Sequence, residues 1–106
     1  MTKNGIWPIL SVVRTVFEGD FEWDPVKASS NLVKHGVSFA EAATVFADPM
    51  AVYLDEGSGI GRMVVIGRSL RERVLYVVSV ERGERDRIIS ARPATAVERA
   101  IYETGA

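Results

Sequence analysis

His35 is the one imidazole in a chain of 106 residues, and it ends a run, PVKASSNLVKH, in which Lys27, Asn31 and Lys34 recur at helical spacing. Wound at about 100° per residue, these four side chains fall on one side of a helix. Imidazole has an unperturbed pKa of about 6.5, so it can give or take a proton near neutral pH, and ammonium groups beside it hold an anion. The face suits binding of an anionic group, or acid–base work on one. A simpler role is also open to His35, as a cation that interacts favourably with a helix C-terminus.

The second set of candidates is guanidinium. Residues 62–106 carry nine Arg, no Lys and six Asp/Glu, whereas residues 1–61 carry four Lys/Arg and eight Asp/Glu, so the halves are +3 and −4. The planar Arg fork matches phosphate and carboxylate alike. Arg68, Arg82, Arg87 and Arg92 are therefore candidate anion contacts. Arg85 and Arg87 repeat on one face of a strand, Arg82 sits in the turn before them, and Arg92 stands where a sheet gives way to Pro93. The competing role for each is cross-strand pairing with Glu81, Glu84 or Asp86. A net charge of −1 and a pI near 5.8 favour such mixed pairing, since they are low for a protein that holds a polyanion.

These groups have to be positioned by elements that the sequence marks well. Asp24 is an N-cap, Pro25 fits the first turn and Gly36 is a left-handed stop, which predicts a helix from Pro25 to His35. Val26, Ala28, Leu32 and Val33 lie away from the cationic side and are its expected core face. Phe21 and Trp23 alternate about Glu22 as a short strand. Ser38 and Glu41 form a Ser-x-x-Glu capping box for a second helix, closed by Asp48-Pro49. Met50 to Asp55, Arg62 to Arg68, Arg73 to Val80 and Arg85 to Ser90 are β-rich and separated by short turns, which predicts an antiparallel meander. Thr95 and Glu98 make a further capping box for a last helix. The expected fold is α+β: about four meander strands plus a short N-terminal strand, with two N-terminal helices and one C-terminal helix on one face of the sheet.

Composition narrows the class. With 47% hydrophobic and 25% charged residues the chain is ordinary globular material, sized for one core. No Cys and one His leave no disulfide framework and no multi-His or thiolate metal site, so neither metal nor cofactor is expected. Apolar runs are far shorter than the ~20 residues of a membrane span, and a cytoplasmic location is expected. Residues 1–19 are expected to be an extension or an extra strand, because Pro8 and Arg14 spoil an export signal; residues 20–106 are the expected single domain.

The stretch FEWDPVKASSNLVKHGVSFAEAATVFADP, followed by VVIGRS, ERGERDRIISARPAT and ERAIYE, resembles the BrnT toxins of BrnT/BrnA type II toxin–antitoxin systems over about residues 21–103. The resemblance implies a RelE-like fold, an RNA-cleaving activity that halts translation, and a BrnA-type ribbon-helix-helix antitoxin that masks the toxin and carries it to operator DNA. RNA cleavage without a metal needs the 2′-hydroxyl deprotonated, the 5′-oxygen protonated and the phosphorane charge stabilised. In that light His35, Arg82 and Arg92 are the expected catalytic residues. Lys27, Asn31, Lys34, Arg68, Arg87 and Tyr102 are the expected RNA contacts, Tyr102 by stacking or else by packing on the sheet. Glu98 is most simply the cap acid. Ser79-Val80-Glu81-Arg82 replaces a His and a Thr common near this strand in related sequences. That departure leaves open a weakly catalytic, antitoxin-binding corepressor, or an RNA-binding module without chemistry.

Overall fold

The computed structural model describes residues 15–55, 57 and 61–105. Most of the expected N-terminal extension, residues 1–14, lies outside the described residues. In chain order the elements are β1 (Val16–Glu18), β2 (Phe21–Trp23), α1 (Pro25–His35), α2 (Phe39–Ala43) running into a 3-10 turn (Thr44–Ala47), β3 (Val52–Asp55), β4 (Arg62–Arg68), β5 (Val74–Arg82), β6 (Arg85–Pro93) and α3 (Ala96–Thr104).

Helix ends form where the capping residues stand. Asp24 Oδ1 accepts the Val26 N–H at 2.8 Å, and Gly36 closes α1 at φ 70°, a left-handed conformation that costs a Cβ-bearing residue ~1 kcal/mol or more. Thr95 and Glu98 complete the capping box of α3. At α2 only half of the expected box forms: Ser38 accepts the Glu41 N–H at 3.0 Å, but the Glu41 carboxylate turns away into the protein.

The six strands form one sheet in the order β1-β2-β6-β5-β4-β3. Its β3-β4-β5-β6 part is the expected antiparallel meander. Beyond it, β2 joins β6 in parallel register, Glu22 opposite Arg87, which makes the sheet mixed.

The helices occupy both faces, not one. Val65, Leu75, Val77, Ile88 and Ala91 pack with Trp23, Val37, Phe39, Ala42 and Val45 from the α1–α2 side. The alternate residues Val64 and Ile66 pack with Tyr102 and Ile101 of α3. Strand alternation makes both faces of β4 and β5 apolar, so each needs a cover. Gly67 allows the closest approach: a Cβ there would stand 3.1 Å from Val45.

The rotation of α1 turns most of the expected core face outward: of Val26, Ala28, Leu32 and Val33, only Ala28 packs on the core. Val33 is 89% exposed and Val26 74%, while Asn31 is buried at 7%. The cause is the edge of β6. The last β2 pairing is at Arg87, so Ala91, which pairs with Val77 of β5 on one side, has no strand on the other; there Asn31 Nδ2 donates to the Ala91 carbonyl at 2.8 Å and Asn31 Oδ1 accepts its N–H at 3.2 Å. Orphaning both backbone groups would cost ~1–3 kcal/mol each, as much as burying the valines would return.

Candidate functional site

Turning Asn31 inward leaves Lys27 and Lys34 on the flank of α1, where they border a half-buried strip of β6. With Ser30, Asn31, His35, Ile89 and Ser90 they line a shallow depression of about 210 Å³. Both lysines are exposed, and neither forms an ion pair among the described residues; His35 is half-buried. Local positive charge here is therefore uncompensated, and two serine hydroxyls stand beside it.

The end of α1 is held by a knot that sequence reasoning missed. Arg73 donates to both oxygens of Glu41, at 2.8 and 2.7 Å, and to the Gly36 carbonyl at 2.8 Å, immediately after His35. Ser69 Oγ also donates to Glu41, at 2.7 Å, and the Arg73 guanidinium leads in holding this buried carboxyl below its ordinary pKa. Thirty-two residues separate Glu41 from Arg73, so no local spacing signals the pair.

Most of the expected arginine contacts are engaged elsewhere. Arg87 donates to Glu22 at 2.6 Å with 14% of its side chain exposed, so it ties β2 to β6 and is not free to meet RNA. Arg92 makes a two-point pair with Glu98, at 2.8 and 2.9 Å, and lies 4.1 Å from the centroid of the Tyr76 ring. Glu98 therefore does more than cap its helix. The Arg92 hydrogen bond is the largest cause of its lowered pKa, ahead of burial, which opposes it.

Arg68 lies against the Tyr102 ring at 5.8 Å, on the α3 face, and donates weakly to the Glu72 carbonyl at 3.4 Å. Tyr102 itself is buried, with its hydroxyl donating to Asp48 Oδ2 at 2.7 Å; it packs on the sheet and is not a stacking platform. Asn31, likewise, has its side-chain amide taken up internally, by Val37 and Ala91, although it borders the α1 depression.

Arg82 and Arg92 do not share a site. Arg82 is exposed at the β5–β6 turn, opposite Arg85, whereas Arg92 is opposite Tyr76, six residues along β5. At about 3.3 Å per residue the two backbones stand ~20 Å apart, too far to serve one phosphate. Arg92 is the nearer to α1, since it adjoins the Ala91 anchored by Asn31. The expected pairing of the turn cations with carboxylates also fails: in register, Arg82 faces Arg85 and Glu81 faces Asp86.

A larger concavity, about 570 Å³, opens at the end of the sheet where β3 and β5 stop and β4 and β6 begin. Phe46, Tyr53, Asp55, Ser79, Glu81 and Asp86 are among its walls. Burial, and then the charges of Glu81 and Asp20, raise the Asp86 pKa. Such a surface repels a polyanion, whereas the α1 depression carries no carboxylate among its lining residues.

A family model described as the ribonuclease toxin BrnT of type II toxin–antitoxin systems matches residues 23–98. The chain belongs to the BrnT ribonuclease toxin family. Its fold is similar to the crystal structure, at 1.1 Å resolution, of the Brucella abortus ribonuclease toxin BrnT, with a TM-score of 0.57 and 25% sequence identity over 69% of this chain and 92% of that one. No curated protein matches. The BrnT match takes in the whole of α1, the Glu41–Arg73 knot, both concavities and the Arg92–Glu98 pair; Tyr102 falls beyond it. Among the described residues no helix is long and apolar enough to cross a membrane.

Proposed function

We propose that this BrnT-family toxin cleaves RNA at the α1 depression by internal transesterification and is neutralised by a cognate ribbon-helix-helix antitoxin of the BrnA type. The observation that carries the reading is the gathering of Lys27, Lys34 and His35 in one depression, with no carboxylate among its lining residues. The 2′-oxygen attacks the adjacent phosphorus as its proton leaves, the bond to the 5′-oxygen breaks, and that oxygen takes up a proton. Products are a 2′,3′-cyclic phosphate and a 5′-hydroxyl. His35 serves one of the two proton transfers. Lys27 and Lys34 hold the phosphodiester, while Arg92, neutralised in its two-point pair with Glu98, makes no direct contact there. Arg82, at the far turn, is left to a distant stretch of RNA backbone.

The chemistry asks for no metal, because imidazole and ammonium groups meet its proton and charge requirements. Cleavage of cellular RNA then stops translation, and operator DNA is reached only through the antitoxin. Purified toxin should cut single-stranded RNA in EDTA, with cyclic-phosphate or 3′-phosphate ends. His35→Ala should slow this by about 10²-fold or more with folding intact. Cleavage that disappears with chelator, or that survives His35→Ala, refutes the mechanism.

A second reading has its own support. Arg87 and Arg92 are tied to Glu22 and Glu98, and Ser79-Val80 offers no proton donor or acceptor that works near neutral pH. An antitoxin-binding corepressor with little catalysis would show these features. It predicts no growth arrest on expression alone, and arrest abolished by His35→Ala excludes it.

A further inference from the structure

The concavity at the end of the sheet has the wrong charge for RNA and a specific shape for something else. Among its lining residues are three carboxylates, Asp55, Glu81 and Asp86, against one guanidinium, Arg62. Glu81 and Asp86 are direct cross-strand partners, an arrangement in which like charges oppose folding. Phe46 and Tyr53 stand beside them with ring centroids 6.2 Å apart, and Tyr53 is 49% exposed. At the floor is Ser79, 2% exposed, whose hydroxyl has no hydrogen-bond partner among the described residues.

Each feature asks for the same complement. A cationic side chain would relieve the Glu81–Asp86 repulsion, lie against the Tyr53 face, where cation–π attraction operates, and give the buried Ser79 oxygen a donor. We propose that this groove is a docking site for the cognate antitoxin, and that it receives an Arg or Lys side chain of that partner flanked by an apolar residue. The inference rests on the toxin–antitoxin reading above but not on the catalytic one. It also assigns the two concavities to different ligands: RNA at the cationic α1 flank, protein at the acidic end of the sheet.

The test uses the full-length toxin and the antitoxin encoded beside it. Asp55→Lys/Glu81→Lys changes two exposed carboxylates, so the fold should persist, which circular dichroism checks; Tyr53→Ala provides a charge-neutral second variant. The dissociation constant for the antitoxin should weaken by about 30-fold for the double variant and by less for Tyr53→Ala, while RNA cleavage by the variants alone stays at the wild-type rate. Affinity within threefold of wild type for both variants overturns the proposal. So does a loss of RNA cleavage with antitoxin binding intact, which would make the groove an RNA site, or a change only in the toxin's own oligomeric state, which would make it a self-association surface. If wild-type toxin leaves RNA uncut but the groove variants still lose the antitoxin, the docking site stands and the nuclease reading falls.

Discussion

Asn31 of α1 and Ala91 of β6 hydrogen-bond in both directions, at 2.8 and 3.2 Å, and the same amide donates to the Val37 carbonyl at 2.9 Å. One side chain thus stands in for a missing neighbouring strand and also fixes the turn after α1. Asn31→Ala should destabilise the protein by about 3 kcal/mol, because it orphans a buried N–H and two carbonyls. Asn31→Asp, which aims carboxylate oxygens at two carbonyls, should be at least as costly. Urea unfolding measures both, and a variant of wild-type stability with selectively weaker RNA binding would restore Asn31 as a ligand residue.

The Arg92–Glu98 pair makes a prediction with a defined sign. Glu98 has its pKa lowered in the folded state, chiefly by Arg92. Its stabilising contribution is therefore present above the ordinary Glu value of about 4.3 and is lost as pH falls through the folded value. Glu98→Gln should cost about 1 kcal/mol at neutral pH, through the weakened cap and pair, and less in acid. Thermal melts of both proteins between about pH 3 and pH 7 should converge toward the acid end; a constant gap would remove the linkage.

How far the sequence foretold this molecule differs between its elements. Capping residues act within one turn, so α1 came out at its expected limits, Pro25–His35, and the Thr95–Glu98 box formed as drawn. The facing of α1 was not legible. Counting apolar residues put Val26 and Val33 in the core, whereas the deciding demand, the bare edge of β6 at Ala91, comes from a residue 60 positions from Asn31. The site was readable to the same degree: Lys27, Lys34 and His35 follow from helical spacing alone, but whether Arg87 and Arg92 are available depends on Glu22 and Glu98, whose placement is set by sheet order and by the packing of α3.

Tyr102 separates the sheet-packing role from base stacking. Its hydroxyl donates to Asp48, which also accepts the Arg68 and Met50 N–H groups, and that carboxylate is the leading cause of the raised Tyr102 pKa. Tyr102→Phe keeps the ring and removes one hydrogen bond. The expected result is a loss of about 1 kcal/mol in stability with RNA cleavage unchanged. A fall in cleavage without a fall in stability would place the ring in the RNA path.

Asp86 should behave in the opposite sense to Glu98. Burial, Glu81 and Asp20 raise its pKa, so the folded protein holds this proton more tightly than the unfolded chain. The resulting penalty is absent below the ordinary Asp value of about 3.9 and complete once pH exceeds the folded value. Asp86→Asn should therefore stabilise the free toxin at neutral pH, by about 0.2–1 kcal/mol on the scale of cross-strand pairs, and the gain should fade in acid. A variant that is less stable at neutral pH, or whose advantage grows as pH falls, would contradict this account.

The lysines of α1 can be tested apart from the chemistry through salt. Each phosphate contact on single-stranded nucleic acid contributes about 0.7 to the slope of log affinity against log salt concentration. Lys27→Ala/Lys34→Ala removes two exposed cations that hold no structural ion pair among the described residues, so stability should change by no more than about 0.5 kcal/mol. The slope for a non-cleaved RNA, such as a 2′-O-methyl oligonucleotide, should fall by about 1.4. Arg87→Ala, by contrast, breaks the half-buried bridge to Glu22 and should lower stability with little effect on the slope. Were the two variants to exchange these phenotypes, RNA would lie along the β2–β6 seam and not on the flank of α1.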